Sequence, residues 1–174
     1  MEDVALLIID MLNDFVLQGS PLEVPDTREI IRPIQDKIQN ARGKSIPIIY
    51  LCDSHEKNDK EFVRMGWPPH ALAGSMGAQV IDSLKPSSQD RIIAKKSYSG
   101  FFATDLDKVL KEGKISKLLV TGCVTNICVL YTVADAVQRG YSVTVFKDCV
   151  AALNQEEHAF ALQQMQEVLG AEIH

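Results

Sequence analysis

Short, nearly continuous apolar runs that end at a polar residue constrain the fold of this chain most. The run Val4 to Ile9 (VALLII) ends at Asp10, and the run Ile46 to Cys52 ends at Asp53. Strands covered on both faces of a parallel sheet have this composition, because neither face meets water. Four further short runs alternate with segments of helical periodicity, at 91–94, 118–120, 141–146 and 171–173. The sequence therefore predicts an α/β fold, a doubly wound (Rossmann-like) parallel sheet of six strands with helices on both faces.

The segments between these runs divide into predicted helices and predicted loops. Segments 11–25 and 53–75 lack periodicity and contain several Gly and Pro residues, which predicts loops. We interpret 53–75 as an ordered functional loop, because Trp67 and the adjoining Pro68 and Pro69 favour order in a connection this long. Helices are predicted over about 26–42, 76–84, 104–112, 126–137 and 154–169, the last with Phe160 facing the core.

Length and composition restrict the function classes. At 174 residues the chain predicts a single domain, 1–174, and 46% hydrophobic with 24% charged residues is typical of a globular protein. The net charge of −5 and the lack of a basic run argue against a nucleic-acid partner. No apolar run approaches ~18 residues, which argues against a membrane span. We therefore expect a cytoplasmic protein whose four cysteines are reduced.

Residues 118–140, LLVTGCVTNICVLYTVADAVQRG, carry the most chemical information. They predict a strand, a tight turn and a helix whose N-cap is Thr125 or Asn126, so that Cys128 falls in the first helical turn. The unpaired N–H groups and the helix dipole there favour an anion, which predicts an easily ionised thiol and a candidate nucleophile. The alternative is a buried structural cysteine, the more common role of a free thiol.

Charged residues follow three of the predicted strands. Asp10 and Asp53 end the first two, and the pair Lys95 and Lys96 follows the third. Ligands of open α/β sheets bind at the carboxyl ends of the strands, so these groups and Cys128 are expected to meet in one site. Taken singly, the aspartates could be turn or capping residues, and the lysines could be a solvated pair.

The loop 53–75 contains potential metal ligands. Asp53 and His55 stand at alternate positions just beyond a strand, His70 follows the Pro-Pro turn, and Glu61 could be a fourth ligand. Imidazole and carboxylate together suit Zn²⁺, Fe²⁺ or Mn²⁺, and a catalytic site needs only three protein ligands. The alternative is a set of solvated loop residues. The sequence contains no dinucleotide-binding or P-loop motif, so no organic cofactor is expected.

Nearly the whole chain resembles the isochorismatase-like cysteine hydrolases, within them the nicotinamidase and N-carbamoylsarcosine amidase branch. The spacing G-x-x-T-x-x-C matches at Gly122, Thr125 and Cys128. The likeness also lies in the motifs LLIIDMLNDF, DSH, GWPPHALAGSMGA, KKSYSGFFATDL, TGCVTNICV and DAVQRGYSVTVFKDCV. One difference is the short stretch between the lysine pair and Tyr98, where many nicotinamidases carry an insertion.

The resemblance implies a role for each matching residue. Cys128 would be the nucleophile, Asp10 the general acid/base and a lysine the third member, with Lys95 favoured over Lys96 by counting back from the Tyr98–Phe101 turn. A cis peptide between Cys123 and Val124 would direct the N–H groups of Val124 and Cys128 at an oxyanion. The likeness further implies that Asp53, His55 and His70 are metal ligands. It also implies that Phe15 and Trp67 hold an aromatic substrate between them.

Several functions remain open on the sequence alone. The first is a metal-assisted amidohydrolase that converts nicotinamide to nicotinate and ammonia through a thioester. A close alternative takes N-carbamoyl compounds such as N-carbamoylsarcosine, or ureides. A different class is a catalytically idle binding or structural subunit. The resemblance implies a homo-oligomer, a dimer or tetramer, acting on a small-molecule amide.

Overall fold

The computed structural model describes residues 3–174 and has the predicted parallel sheet. Its strands lie in the order β3-β2-β1-β4-β5-β6, and all five neighbouring pairs are parallel. The first strand is therefore central, and each crossover passes over a face of the sheet. The strands are β1 Val4–Ile9, β2 Ile48–Asp53, β3 Arg91–Lys95, β4 Lys117–Cys123, β5 Ser142–Ala151 and β6 Glu172–Ile173.

Within residues 3–174, six α-helices connect the strands, together with three tighter or wider helical turns. A 3₁₀ turn spans Asp82–Leu84, and π-helical turns span Thr125–Val129 and Gln164–Val168. The helices are α1 Asn13–Val16, α2 Thr27–Gly43, α3 Lys60–Met65, α4 Leu106–Glu112, α5 Leu130–Gln138 and α6 Gln155–Gln163. Among the described residues, no helix has the length and apolar character needed to cross a membrane.

The core is divided by the sheet into two layers. Leu6 and Ile8 pack on the side of α2, whose Ile34 is fully buried, whereas Leu7 and Ile9 pack on the side that contains α4 and α5. Both faces of β1 are thus covered, which explains why its sequence shows no apolar-polar alternation. Burial of this strand between two helical layers places its carboxyl end, and therefore Asp10, in the interior.

Three details differ from the sequence prediction. The loops contain the short helices α1 and α3, and a helix over 76–84 is wrong apart from the Asp82–Leu84 turn. Helices of four to six residues are too short to show periodicity, and 76–80 instead bonds to α1, through acceptors such as the Gly77 and Gln79 carbonyls. Phe160 is 59% exposed, because its neighbour Ala161, about 100° around the helix, faces the core.

Candidate active site

The predicted strand-end residues converge at one edge of the sheet. Asp10 follows β1 directly with φ 51°, Asp53 ends β2 and Lys95 ends β3. Cys128 lies in the π-helical turn after β4. One ligand-type atom each from Asp10, Asp53 and Cys128 lie within 4.8 Å of one another. The parallel register of the central strands therefore brings together residues far apart in the sequence.

The Lys95 ammonium contacts every other member of this cluster. Its Nζ lies 2.7 Å from Asp10 Oδ2, 2.5 Å from Asp53 Oδ1 and 3.4 Å from Cys128 Sγ. Lys95 is only 1% exposed, so these contacts are shielded from water. Lys96 is exposed and pairs with Glu56 at 2.6 Å. Of the two candidate lysines, Lys95 is the one inside the cluster.

Three charged groups share this space, and their pKa values shift in different directions. Burial raises the pKa of Asp10 to about 6; Asp53 adds to the increase and Lys95 opposes it. Burial also acts to raise the pKa of Asp53, but the Lys95 charge and the nearby His55 imidazole hold it below its usual range. Burial acts to lower the pKa of Lys95, but the two carboxylates raise it well above its usual range. Lys95 and Asp53 therefore stay charged, and Asp10 can exchange a proton near neutral pH.

The Cys128 thiol is harder to ionise than the sequence predicts. Burial raises its pKa well above the usual range, and the Lys95 charge opposes that shift without cancelling it. The predicted cap is also wrong: Val124 precedes the helical turn, and no side chain caps it. The Thr125 hydroxyl instead lies 3.0 Å from His158 Nδ1. Loss of solvent is thus the largest influence on this thiol, and Cys128 needs a nearby base to ionise.

The three expected metal ligands also converge. One donor atom each from Asp53, His55 and His70 lie within 4.8 Å of one another. His55 Nδ1 bonds to Asp59 Oδ2 at 3.0 Å, and His70 Nδ1 bonds to the Pro68 carbonyl at 2.9 Å. If each Nδ1 carries the proton, each Nε2 presents a lone pair, and His55 Nε2 is buried without a hydrogen-bond partner. Histidine ligands commonly bond outward in this way, so the residues fit a divalent metal.

The electrostatics of this group also suit a cation. Burial acts to lower the pKa of His55, but its contacts with Asp53 and Asp59 raise it to about 9. Carboxylates that favour a proton on His55 also favour a metal ion bound to it. The proton and the metal ion compete for the imidazole. Glu61 is buried, and burial raises its pKa; it forms a second possible ligand group with His55 and Asp59.

A cavity of about 340 Å³ opens onto both groups of residues. Its walls include Phe15 and Trp67, the two aromatic residues expected to hold a substrate. Val124 and Cys128 also line it, and the peptide between Cys123 and Val124 is cis. The remaining wall comes from Tyr98, Ile127, Leu153 and the segment 20–24.

Sequence reasoning missed some of these residues. Asp59, which orients His55, also caps α3 by accepting from the Glu61 N–H at 2.9 Å. An Asp before a short helical segment is a recognisable cap signal, but its link to His55 depends on the fold. Tyr98 could be found only as part of a turn, and the wall 20–24 only as a loop.

Comparisons with known proteins identify the family of this chain. A family model described as the Isochorismatase domain matches residues 4–173. The chain belongs to the isochorismatase family. The isochorismatase family protein YaaI of Bacillus subtilis is 33% identical over 171 residues, which cover 98% of this chain and 93% of YaaI. The probable inactive nicotinamidase At3g16190 of Arabidopsis thaliana is 31% identical over 173 residues, 94% of this chain and 88% of that protein.

Solved structures of this isochorismatase fold superpose closely. The pyrazinamidase/nicotinamidase of Streptococcus mutans has a TM-score of 0.92 at 33% identity, covering 98% of this chain and 99% of its own. N-carbamoylsarcosine amidase of Thermoplasma acidophilum has a TM-score of 0.89 at 33% identity, covering 99% of this chain and 95% of its own. The pyrazinamidase of Pyrococcus horikoshii, solved in complex with zinc, has a TM-score of 0.92 at 30% identity, covering 99% of this chain and 98% of its own. These neighbours are hydrolases, and this chain is a hydrolase of the same family.

Proposed function

We propose that this protein is a cysteine amidohydrolase that converts nicotinamide, or a similar flat carboxamide, to the acid and ammonia. The observation that carries the proposal is the buried contact of Lys95 with both Asp10 and Cys128, beside a cavity with aromatic walls. A nucleophile, a proton acceptor and a cation within contact distance form the minimum set for acyl transfer through a thioester. This complete set argues against an idle subunit.

The first half of the reaction forms the thioester. The Asp10 carboxylate accepts the Cys128 proton, while Lys95 stabilises the thiolate that results. The sulfur attacks the carbonyl carbon, and the carbonyl π-electrons move to oxygen, which accepts hydrogen bonds from the N–H groups of Val124 and Cys128. When the C–N bond breaks, protonated Asp10 gives its proton to the nitrogen, which leaves as ammonia.

The second half of the reaction releases the acid. Asp10, again a carboxylate, takes a proton from water as the water oxygen attacks the thioester carbon. Collapse of this second tetrahedral intermediate breaks the C–S bond and returns the Asp10 proton to sulfur, leaving the carboxylic acid, which ionises on release. Asp10 thus acts as base, acid, base and acid in turn, which requires a pKa near neutrality.

We propose that Asp53, His55 and His70 hold a divalent metal, with zinc the first candidate and Glu61 a possible fourth ligand. When bound, the metal supplies a Lewis-acidic position that can bind a substrate ring nitrogen or a water. Phe15 and Trp67 would hold the ring flat between them. The zinc complex of the P. horikoshii pyrazinamidase supports zinc over iron or manganese.

The charge of the cavity distinguishes the two amidase candidates. Among the described lining residues there are four carboxylates and no Lys or Arg: the acids are Asp10, Glu23, Asp53 and Glu61. The Lys95 ammonium is already paired, and Arg28 is paired with Glu23 at 2.8 Å. Apart from the proposed metal, a substrate carboxylate such as that of N-carbamoylsarcosine would meet like charges, because the described lining residues offer it no cationic side chain. The cavity therefore favours uncharged amides.

Ammonia release from three substrates tests the proposal. We expect nicotinamide and pyrazinamide to be hydrolysed with kcat/KM roughly 100-fold or more above that of N-carbamoylsarcosine, since like-charge contact costs several kcal/mol. Turnover of none of the three would contradict an amidase, and preference for N-carbamoylsarcosine would select the alternative.

A cysteine exchange tests the nucleophile. Cys128→Ser should lower kcat by at least about 1,000-fold, because a serine hydroxyl is far less ionised than a thiol. Cys149→Ser is the matched control: Cys149 is also buried but does not line the cavity, so its exchange should retain turnover. Full activity of Cys128→Ser would remove the assignment.

We further propose that the protein is a homo-oligomer, as the family resemblance implies. Strand β3 lies at the edge of the sheet, where Ile92 is exposed, and Phe102 beyond it is also exposed. Light scattering coupled to size-exclusion chromatography should give a molar mass of two or more times the chain mass of 19.3 kDa. A monomer at micromolar concentration would contradict this.

A further inference from the structure

Asp14 lies next to the proposed site without lining the cavity. Its carboxylate Oδ2 accepts a hydrogen bond from the Ala71 N–H at 2.8 Å. Ala71 directly follows His70, is fully buried and has φ 43°, a left-handed conformation that is uncommon outside glycine. A buried N–H needs a partner, so Asp14 supports the backbone turn that directs His70.

The same backbone turn is bonded to the second histidine. The Ala71 carbonyl accepts from the His55 N–H at 2.9 Å, and the His55 carbonyl accepts from the Ala73 N–H at 2.9 Å. A continuous chain of hydrogen bonds thus runs from Asp14 through Ala71 to His55. Both expected histidine ligands depend on the position of this one residue, whose N–H and carbonyl belong to consecutive peptide groups.

The backbone of Asp14 supports the substrate side of the cavity. Its carbonyl accepts from Ser20 Oγ at 2.9 Å and from the Leu22 N–H at 3.2 Å. Both residues belong to the cavity wall 20–24, and Phe15 is the next residue in the chain. Asp14 therefore joins the cavity wall formed by Phe15 and the segment 20–24 to the loop that carries His70.

Gly77 leaves the space that Asp14 occupies. The Asp14 N–H donates to the Gly77 carbonyl at 3.1 Å, and a Cβ added at Gly77 would lie 2.1 Å from Asp14 Oδ2. The atoms that would meet this Cβ belong to a side chain and not to the backbone, so an alanine at 77 should displace the carboxylate without disrupting the backbone. The site thus offers a way to move Asp14 without changing it.

We infer that Asp14 is a positioning residue: its carboxylate holds the proposed metal-binding histidines in place through the Ala71 backbone, and its carbonyl holds the cavity wall at 20–24. This inference rests on the proposed metal site. Residues that orient metal ligands from outside typically change metal affinity by about 10- to 100-fold when removed. Asp14 should act on affinity although it does not bind the metal itself.

Zinc affinity, measured by competition with a chromogenic chelator, tests the inference independently of catalysis. Asp14→Ala and Gly77→Ala should each weaken zinc binding at least tenfold, whereas Asp14→Asn, which keeps an acceptor oxygen, should stay within about threefold of the wild type. Gly43→Ala is the matched glycine control, because a Cβ there meets nothing within 4 Å. Circular dichroism checks that each variant is folded.

The outcomes separate this inference from the proposed reaction. Equal zinc affinity in the wild type, Asp14→Ala and Gly77→Ala, including no measurable binding by any of them, would overturn it. A loss in Asp14→Asn as large as that in Asp14→Ala would also overturn it, because the acceptor would not be the cause. The predicted affinity changes in a protein that hydrolyses no amide would instead leave Asp14 assigned and remove the proposed activity.

Discussion

A single buried ammonium decides whether this site can exist. Lys95 stands between Asp10 and Asp53, and both carboxylates are almost fully buried. Without this counter-charge, two ionised carboxylates close enough to contact the same ammonium would repel each other in a medium that screens charge poorly. The ammonium therefore has a structural role as well as its proposed effect on the thiolate.

Replacement of Lys95 by Met should reveal both roles. We expect Lys95→Met to lower the free energy of unfolding by about 3–5 kcal/mol, since it leaves buried charges unpaired, and to abolish ammonia release. Urea unfolding at pH 7 measures the first effect. Lys96→Met is the matched control; its exposed pair with Glu56 should be dispensable for both properties. Equal behaviour of the two variants would contradict the assignment.

The identities of the site residues could be predicted from sequence, but their ionisation could not. Asp10, Asp53 and Lys95 are visible as polar residues at the ends of apolar strands, and the parallel fold requires them to meet. The raised pKa of the Cys128 thiol depends on how completely that side chain is buried. Burial of a single atom follows from packing, which no local pattern specifies.

At the scale of elements, the close approach of β1 and β4 positions the turn Thr125–Val129, which carries Cys128. Gly122 in β4 pairs with Ile9 in β1, has φ 113°, and an added Cβ would lie 2.0 Å from the Ile9 backbone oxygen. The backbone at this point has no room for a side chain. The first residue of the G-x-x-T-x-x-C spacing is therefore explained by strand packing.

Gly122→Ala should therefore be strongly destabilising. Left-handed strain and backbone overlap each cost about 1–3 kcal/mol, so we expect a loss of about 3 kcal/mol or more, or insoluble protein. The contact is with backbone atoms, which cannot swing away as a side chain would. Thermal unfolding compared with Gly43→Ala measures the effect, and equal melting temperatures would contradict it.

The regular elements were easier to predict than the short ones. The apolar run of β1 and the helical periodicity of α2 are long enough to recognise, and α2, predicted over about 26–42, spans Thr27–Gly43. The four residues of α1 and the six of α3 contain too few positions to do so. Helix α1 is bonded to a distant segment, as in the bond from the Asn13 N–H to the Gln79 carbonyl, whereas α3 is capped locally by Asp59. Functional loops of this kind depend on the finished fold.

At the scale of the whole molecule, the proposed metal would join separate parts of the chain at one sheet edge. Asp53 ends β2 and His55 follows it, whereas His70 lies beyond α3 in a loop bonded back to α1. A ligand that binds only the folded arrangement stabilises the whole cooperative unit by mass action. Metal should therefore change global stability as well as activity.

Metal removal and return should test this coupling. With zinc at about 100 times its Kd, the stabilisation is about 2.7 kcal/mol, which for a chain of 174 residues raises the melting temperature by roughly 5–10 °C. Dialysis against a chelator should remove both the increase and the activity, and added zinc should restore them. His70→Ala should not respond to zinc, whereas His174→Ala, an exposed histidine outside the group, should respond like the wild type. An equal response in both variants would show that zinc binds elsewhere, because only His70 belongs to the proposed ligand set.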